Sequence, residues 1–237
     1  MNSKEFIEHL EELNINWNDE KIKKLDIYYN YLIDYNSHTN LTSITEEKAV
    51  YLKHFYDSLT ITKLINLNTI TNVLDIGTGA GFPGVVLKIF YPHLVITLLD
   101  SNNKKTKFLN NLINQLELTG VTVVNDRSEK YVKEKREHFD LVTSRAVAKL
   151  QILSELSLPF VKLGGLFIPL KGEVTTELIT SKGTIKKLGG KIEKIESFLL
   201  PIENSRRTLI KIKKIMITKS EYPRSFDKIL KKPLENN

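Results

Sequence analysis

From residue 69 onward, short apolar runs of strand length alternate with longer stretches of helical periodicity. The apolar runs cover 70–76, 94–99, 121–124, 139–143, 165–170, 195–200 and 208–212. Helix-like stretches separate the first five of them, at 84–91, 103–118, 128–136 and 147–162. This alternation predicts an α/β fold with a mostly parallel sheet covered on both faces. The last two runs have no clear helix between them, which predicts a hairpin at the sheet edge.

Residues 1–65 follow a different pattern, with apolar side chains at helical spacing and neither glycine nor proline. They predict an N-terminal helical subdomain that precedes a strand–helix domain over 66–214. Lysine and arginine are dense in the remaining segment, 215–237, which we interpret as a basic C-terminal tail. Within a net charge of +7, such a tail fits a polyanionic partner, although a solvated lysine-rich surface gives the same pattern.

Composition excludes several classes of protein. The chain contains no cysteine, which rules out disulfides, thiolate catalysis and Cys-ligated zinc, and we predict no metal site. No apolar run approaches the ~20 residues of a membrane span, and the acidic N-terminus lacks the apolar stretch of a signal peptide. We therefore expect a cytoplasmic protein without a membrane partner.

The segment VLDIGTGAGFPG at 73–84 joins the first strand to the first helix of the sheet domain. Gly77, Gly79 and Gly81 lie in this connection, where the backbone of a doubly wound fold approaches its ligand. A tight turn without a ligand would also accept these glycines. Their position between a buried strand and a helix favours a cofactor site.

Two carboxylates indicate which cofactor the loop binds. A dinucleotide site would show G-x-G-x-x-G, which the spacing here misses, and Asp75 would repel a pyrophosphate. S-adenosylmethionine carries a sulfonium and an ammonium but no phosphate, so a carboxylate beside the loop is favourable. Asp100 ends the second strand, where a carboxylate can accept both ribose hydroxyls. We therefore favour S-adenosyl-L-methionine over NAD(P), while Asp75 could also bond the loop's own N–H groups.

Two further positions fall near the expected cofactor. Ser128 and Glu129 follow the third strand, beside the expected adenine ring, although Ser128 could equally cap the next helix. Phe82 lies in the glycine loop, where its ring could cover the cofactor or join the core.

The residues after the fourth strand, Thr143 to Ala146, are expected to face the methyl acceptor. The chain has no Pro-Pro pair for the (Asn/Asp)-Pro-Pro-aromatic motif of amino-directed nucleic-acid methyltransferases, and no cysteine for attack on cytosine C5. An acceptor with its own lone pair, such as guanine N7, needs only alignment, and alignment can supply ~7–11 kcal/mol.

The sequence from Asn40 onward resembles the bacterial 16S ribosomal RNA guanine-N7 methyltransferase family, also called glucose-inhibited division protein B or methyltransferase G. The matching motifs, in order, are N-L-T at 40–42, H-x-x-D-S at 54–58, D-I-G-T-G-A-G-F-P-G at 75–84, L-L-D-S at 98–101, S-R-A at 144–146, L-K-G at 170–172, Y-P-R at 222–224 and K-K-P-L at 231–234.

The resemblance implies a class I S-adenosylmethionine-dependent methyltransferase fold, Rossmann-like, with a seven-stranded, mostly parallel sheet and an N-terminal helical subdomain. It implies methyl transfer to N7 of a guanine in a conserved loop of 16S rRNA. Carried over by position, the family's cofactor contacts fall on Gly77, Phe82, Ser128, Glu129 and Arg145. The expected partner is 16S rRNA or a small ribosomal subunit particle, and we expect a monomer.

The resemblance also raises several cations from surface residues to candidates. Arg145 and Lys171 are the candidate catalytic residues. The candidate RNA contacts are Arg207, Lys211, Lys213, Arg224, Lys231 and Lys232. Alternation places Lys211 and Lys213 on one face of what we expect to be an edge strand. His54 and Asp57 fit a buried polar pair on an apolar helix.

Three other functions are consistent with parts of the sequence. A methyltransferase acting on a small molecule or a protein would not need the basic tail. A catalytically inactive RNA-binding protein of this fold would tolerate loss of the glycines or of Asp100, and all of them are present. An NAD(P)-dependent reductase is disfavoured by Asp75 and by the loop spacing.

Overall fold

The computed structural model describes residues 1–145 and 148–234. Within this part of the chain, one sheet has the strand order β3-β2-β1-β4-β5-β7-β6. Its strands are β1 (Asn72–Ile76), β2 (Val95–Asp100), β3 (Val121–Asn125), β4 (Phe139–Arg145), β5 (Val161–Lys171), β6 (Gly190–Leu199) and β7 (Arg206–Lys214). This is the predicted seven-stranded, mostly parallel sheet, and the prediction of an α/β class I methyltransferase fold is confirmed.

The strands β1 to β5 run parallel, and the central strand β1 pairs with β2 and β4. Leu74 of β1 lies opposite Thr97 of β2 and Val142 of β4. The predicted hairpin is present, but β7 lies inside the sheet, antiparallel to both β5 and β6. Lys211 and Lys213 are therefore not on an edge strand, because β6 occupies the edge.

Helices cover both faces of the sheet. In the described residues they are α1 (Ser3–Glu12), α2 (Asp19–Thr39), α3 (Glu47–Val50), α4 (Asp57–Leu59), α5 (Gly84–Phe90), α6 (Asn103–Gln115), α7 (Ser128–Lys135), α8 (Leu150–Ser157), α9 (Thr175–Lys187) and α10 (Phe226–Lys231). The predicted helices at 84–91, 103–118 and 128–136 correspond to α5, α6 and α7. The fourth, at 147–162, corresponds to α8, and Val147 lies outside the described residues.

The N-terminal helices share one hydrophobic core with the sheet domain. Phe6, Leu25 and Tyr28 are fully buried together with Phe108 of α6 and Leu98 of β2. The opposite face of the sheet packs against α7, α8 and α9 in a second cluster. Residues 1–65 thus form a helical layer on the sheet, with no separate core among the described residues.

A π-helical turn, Tyr51–Tyr56, interrupts the helical segment between α3 and α4. Such turns add one residue to the helical register and are frequent at functional sites. Lys53, His54 and Asp57 all line the cleft described below. The π-helical turn and the residue that follows it thus contribute polar side chains to the cleft.

The segment after β7 packs on the domain surface. Tyr222 and Ile229 are buried, and α10 packs on α8 through Ile152 and Leu156. The described part of the segment expected to form a basic tail is therefore anchored; residues 235–237 lie outside the described part. No helix in the described ranges is long and apolar enough to cross a bilayer.

Candidate functional site

A cleft of about 880 Å³ opens at the carboxyl ends of the parallel strands. Its lining comes from the glycine loop after β1, from Asp100 of β2, from the start of α7, from Arg145 of β4 and from the π-helical turn. Ligands of doubly wound sheets bind at this end, because loops from neighbouring strands converge there.

The glycine loop is held against β2 by its backbone. The N–H groups of Gly77 and Thr78 both donate to the carbonyl oxygen of Leu99, at 2.8 and 3.2 Å. Gly77 and Gly79 have φ of 64° and 62°, a left-handed conformation that favours glycine. Both residues line the cleft, so the backbone is open to a ligand at these two positions.

Gly81 and Gly84 face away from the cleft and allow close packing. A Cβ on Gly81 would lie 2.6 Å from Val85 Cγ2 and 2.7 Å from the Tyr28 hydroxyl oxygen. A Cβ on Gly84 would lie 2.4 Å from Leu98 Cδ2. Gly81 therefore has a packing role beneath the loop, and its expected contact with the cofactor stays a prediction.

Asp75 lies under the loop and is fully buried. Its Oδ2 accepts hydrogen bonds from Thr78 Oγ1 at 2.7 Å and from the Gly84 N–H at 2.9 Å. Burial raises the pKa of Asp75 to about 7, against the opposing effect of these two bonds. Asp75 is absent from the cleft lining and braces the loop from behind, and its expected position beside a sulfonium stays a prediction.

Asp100 lines the cleft at the end of β2. Its Oδ1 accepts from the Asn102 N–H at 2.9 Å, and its Oδ2 accepts from the Gly79 N–H at 3.0 Å. A carboxylate offers about four lone-pair sites, so each oxygen keeps acceptor capacity for a ligand hydroxyl. Asp100 thus fixes the glycine loop and also offers a negatively charged edge to the cleft.

Ser128 and Glu129 begin α7, and both line the cleft on the side of β2 and β3. The Ser128 hydroxyl donates to the Leu156 carbonyl oxygen at 2.8 Å, which ties α7 to α8. Ser128 does not cap the helix, because Arg127 occupies the cap position. Phe226 of α10 also lines the cleft, and the guanidinium of Arg127 lies 5.3 Å from its ring centre.

Phe82 is the centre of an aromatic stack at the inner wall of the cleft. The His54 ring stacks on it at a centroid distance of 4.4 Å, and the Tyr28 ring does so at 5.2 Å. The Arg145 guanidinium lies 5.1 Å from the same ring. Phe82 is buried and still lines the cleft, so both roles considered for it are consistent with its position.

Arg145 ends β4 and is held by three residues of the helical layer. Its Nη2 donates to His54 Nδ1 at 2.8 Å, while its Nη1 donates to the Lys53 carbonyl oxygen and lies 3.4 Å from Asp57 Oδ2. Burial lowers the pKa of Arg145 from its ordinary value, and Asp57 opposes that effect. Ala146, which completes the S-R-A motif, lies outside the described residues.

His54 is a neutral acceptor for Arg145. Burial, followed by the nearby Arg145 charge, lowers the pKa of His54 to about 3. Its Nδ1 accepts from Arg145, so the tautomer carries hydrogen on Nε2, which lies 3.1 Å from Thr42 Oγ1. The expected His54–Asp57 pair is corrected: the structure links both residues to Arg145 instead.

Asp57 is shared by two arginines. Arg207 Nε donates to both of its carboxylate oxygens at 3.1 Å, and Arg145 approaches Oδ2 from β4. Because Asp57 belongs to the helical layer, one carboxylate joins that layer to β4 and to β7.

Lys171, the second candidate catalytic residue, lines the cleft at the end of β5. Its ammonium donates to the Ala148 carbonyl oxygen at 2.7 Å and pairs with Glu177 of α9 at 2.8 Å. The same Glu177 oxygen accepts the Leu150 N–H at 2.8 Å. Lys171 therefore fixes the start of α8 and α9, which argues against a freely moving catalytic amine.

The candidate RNA contacts fall into two groups. Lys211 and Lys213 share Glu193 on β6, at 3.3 and 3.8 Å, and Arg207 pairs with Asp57. Arg224 forms a bidentate pair with Glu155, whose side chain is fully buried. The Arg224 guanidinium thus anchors the C-terminal segment, and its predicted contact with RNA stays a prediction.

Lys231 and Lys232 form the second group. Both are exposed near the end of α10 and make no ion pair with any described residue. They remain available to a polyanion.

The protein was compared with known proteins. The family model for rRNA small subunit methyltransferase G matches residues 21–209. The ribosomal RNA small subunit methyltransferase G of Bacillus subtilis strain 168 is 45% identical over 238 residues, covering 99% of this chain and 100% of the relative. The protein of the same name from Lachnoclostridium phytofermentans is 47% identical over 232 residues, covering 97% and 96%.

Among solved structures, precorrin-6y C5,15-methyltransferase from Geobacter metallireducens matches with a TM-score of 0.51 and 14% identity. The match covers 72% of this chain and 91% of that one, and at this identity it shows the shared fold alone. The family match and the two relatives span most or all of the present sequence. The chain therefore belongs to the rRNA small subunit methyltransferase G family.

Proposed function

We propose that this protein transfers the methyl group of S-adenosyl-L-methionine to N7 of a guanine in 16S rRNA. The observation that carries the proposal is the cleft in which the open glycine loop, the Asp100 carboxylate and Arg145 meet. Family membership supports an rRNA methyltransferase, and the choice of N7 rests on the motif resemblance described above, with which the chemistry of the site is compatible.

The residues of the cleft fit the cofactor. Gly77 and Gly79 leave the backbone open, and Asp100 keeps acceptor sites that suit two ribose hydroxyls. Ser128 and Glu129 lie beyond Asp100, where the adenine ring would follow the ribose. We propose that these residues hold the cofactor and that Phe82 forms the wall beside its methionine part.

When bound, the cofactor supplies an electrophilic methyl group on a sulfonium. Guanine N7 has an in-plane lone pair and no proton to lose, so the protein needs no general base. The chain has no cysteine and no Pro-Pro pair, the devices expected for attack at carbon or at an exocyclic amine. Its contribution is alignment, which can supply ~7–11 kcal/mol of barrier reduction.

Arg145 is proposed to orient the reacting groups. His54, Lys53 and Asp57 hold the guanidinium, which lies 5.1 Å from the centre of the Phe82 ring at the inner wall. It can thus fix the shape of the wall against which donor and acceptor align. A cation at this place also disfavours binding of a base that is already methylated, because N7-methylguanine carries a positive charge.

We propose 16S rRNA, free or within a small-subunit particle, as the partner, and we propose that the protein acts in the cytoplasm as a monomer. We also propose a division of the chain by function.

Residues 1–65 form a helical layer that braces the cofactor loop, residues 66–214 carry the reaction, and the segment from 215 supplies exposed lysines. Lys231 and Lys232 are the cations of that segment proposed to contact RNA.

Calorimetric titration with S-adenosylmethionine and with NADH tests the cofactor assignment. We expect the wild type to bind S-adenosylmethionine and its demethylated product, but not NADH. Asp100→Asn should weaken both by ~10–100-fold, because an amide nitrogen cannot accept the bonds made by a carboxylate. Asp34→Asn, which alters an exposed carboxylate of α2 outside the cleft lining, is the matched control and should bind the cofactor as the wild type does. Binding of NADH without S-adenosylmethionine would overturn the assignment.

A further inference from the structure

The Arg207 guanidinium is fixed on one edge and open on the other. Its Nε donates to both oxygens of Asp57, and its Nη1 donates to Ser205 Oγ at 3.3 Å and to the Arg206 carbonyl oxygen at 3.0 Å. A guanidinium has five N–H donors. The two on Nη2 have no partner in the described parts of the chain, and the residue lines the cleft.

Fixing the Arg207 guanidinium in one orientation costs free energy. Binding of a ligand at its open Nη2 edge would offset that cost. The Arg207 side chain is 21% exposed to solvent and the Asp57 side chain is 5% exposed, so the ion pair is largely buried. Asp57 is also shared with Arg145, and His54 beside them is neutral. Lys53 is compensated by Glu203 at 2.8 Å. One carboxylate therefore faces two guanidiniums, which leaves the cluster of Asp57, Arg145 and Arg207 with a net positive charge.

The sheet topology separates Arg207 from the glycine loop. Arg207 is the second residue of β7, and the next residue, Thr208, lies opposite Lys171 at the carboxyl end of β5. The glycine loop follows β1, and β4 and β5 lie between β1 and β7. Three strand spacings of ~4.8 Å put Arg207 roughly 14 Å from the loop across the sheet. Arg207 thus lines the cleft beyond Arg145 from the glycine loop, on the side where we place the acceptor.

We propose that Arg207, aimed by Asp57, is a binding site for a phosphodiester of the RNA strand that carries the target guanine. The inference rests on the proposed function and adds the group that the site recognises. A planar fork of N–H donors matches two oxygens of one phosphate better than a point charge does. Asp57 acts through Arg207 and is a positioning residue. The bound phosphate places the nucleotide, and the cleft then aligns its base.

The test compares Arg207→Gln and Arg207→Lys with the wild-type protein in methyl transfer to 16S rRNA at several salt concentrations. Arg207→Gln should raise the KM for rRNA by ~10–100-fold, since a charge-assisted bond is lost. The slope of log affinity against log salt should flatten by ~0.7, the value for one phosphate on a single strand. Arg207→Lys should keep the slope and lose part of the affinity, because its charge remains without the fork.

Arg206→Gln is the matched control. Arg206 is exposed on the same strand, and successive side chains of a strand point to opposite faces. Its KM and salt slope should equal those of the wild type. Asp57→Asn should shift KM in the same direction as Arg207→Gln, and melting temperatures separate this effect from unfolding.

Each outcome has one interpretation. If Arg207→Gln weakens S-adenosylmethionine and leaves the RNA salt slope unchanged, the anion is the cofactor carboxylate and the phosphodiester site is wrong. The site is equally wrong if a folded Arg207→Gln variant matches the wild type in KM and slope. If the wild-type protein methylates no rRNA at all, the proposed function fails first, and this site loses its ligand with it.

Discussion

The phenolic hydroxyl of Tyr28 on α2 donates a hydrogen bond to the carbonyl oxygen of Ala80 inside the glycine loop. Tyr28 is fully buried, and its ring stacks on Phe82 of the same loop. A residue from the N-terminal helical layer thus holds the loop proposed to bind the cofactor. The layer is therefore part of the binding site's support as well as a cover for the sheet.

Tyr28→Phe removes only the hydroxyl and leaves the Ala80 carbonyl without that donor. An unsatisfied buried acceptor costs ~1–3 kcal/mol, so we expect a lower melting temperature and weaker binding of S-adenosylmethionine. Tyr29→Phe is the control on the same helix, since its bond to the Thr45 carbonyl oxygen is exposed and 3.3 Å long. Cofactor affinity equal to that of the wild type in Tyr28→Phe would contradict the bracing role.

Arg145→Ala should reduce both turnover and stability. A loss of stability is expected besides the loss of turnover, because the guanidinium is bonded to three residues of the helical layer. Removing one partner of a buried pair costs ~3–5 kcal/mol. Unfolding in denaturant measures that loss, and single-turnover methyl transfer on the folded fraction measures catalysis. Wild-type turnover in that fraction would reduce Arg145 to a structural residue.

The pH dependence of unfolding tests the environment of His54. Its pKa is lowered from an ordinary 6.5 to about 3, so the unfolded chain binds its proton between these values and the folded protein does not. The stability it contributes is complete above pH 6.5 and is lost as pH falls toward 3. The slope is at most ~1.4 kcal/mol per pH unit.

The comparison with His54→Gln isolates that slope. Asp75 has the opposite sign, since its pKa is raised to about 7 and its contribution falls as pH rises toward that value, but it is common to both proteins. The wild type should therefore lose stability relative to His54→Gln as pH falls from 6.5 to 4. Parallel curves over this range would show that His54 titrates normally in the folded protein.

Two substitutions in the C-terminal segment should separate anchoring from RNA binding. Arg224→Ala leaves the fully buried Glu155 unpaired and should lower the melting temperature, at a cost of ~3–5 kcal/mol. The salt dependence of RNA binding by its folded fraction should not change. Lys231→Gln with Lys232→Gln should keep the melting temperature and flatten that dependence by ~0.7 per contact. If Arg224→Ala flattens the salt dependence and the double lysine variant leaves it unchanged, Arg224 contacts the RNA and the two lysines do not.

Local signals were sufficient to predict the strands, the glycine loop and Asp100. Period-two and period-3.6 patterns mark the elements, and parallel connectivity brings β1, β2 and β4 to one end. The helix α9 was missed because its threonines and Gly183 give it a weak helical pattern. The interior position of β7 was also missed, because its pairing with β5 is set by tertiary contact and leaves no local mark.

The interactions that organise the site were harder to predict, because they join distant parts of the chain. The local sequence around Asp57 predicts only a buried polar residue. In the structure Asp57 pairs with Arg207, which lies 150 positions away in the chain. Tyr28 looks like any core residue of α2, and its bond to Ala80 spans 52 positions. Only the H-x-x-D-S motif at 54–58 hinted at polar side chains on this helix.

The most direct test of the proposed function is to identify the atom that receives the methyl group. The protein is incubated with S-adenosylmethionine labelled in the methyl group and with 16S rRNA or small-subunit particles that lack the modification. Nucleoside mass spectrometry and mapping of the labelled fragment then locate the product. We predict label in 7-methylguanosine at one position of 16S rRNA. Label on an exocyclic amine, on a ribose or on a base other than guanine would contradict the proposed function.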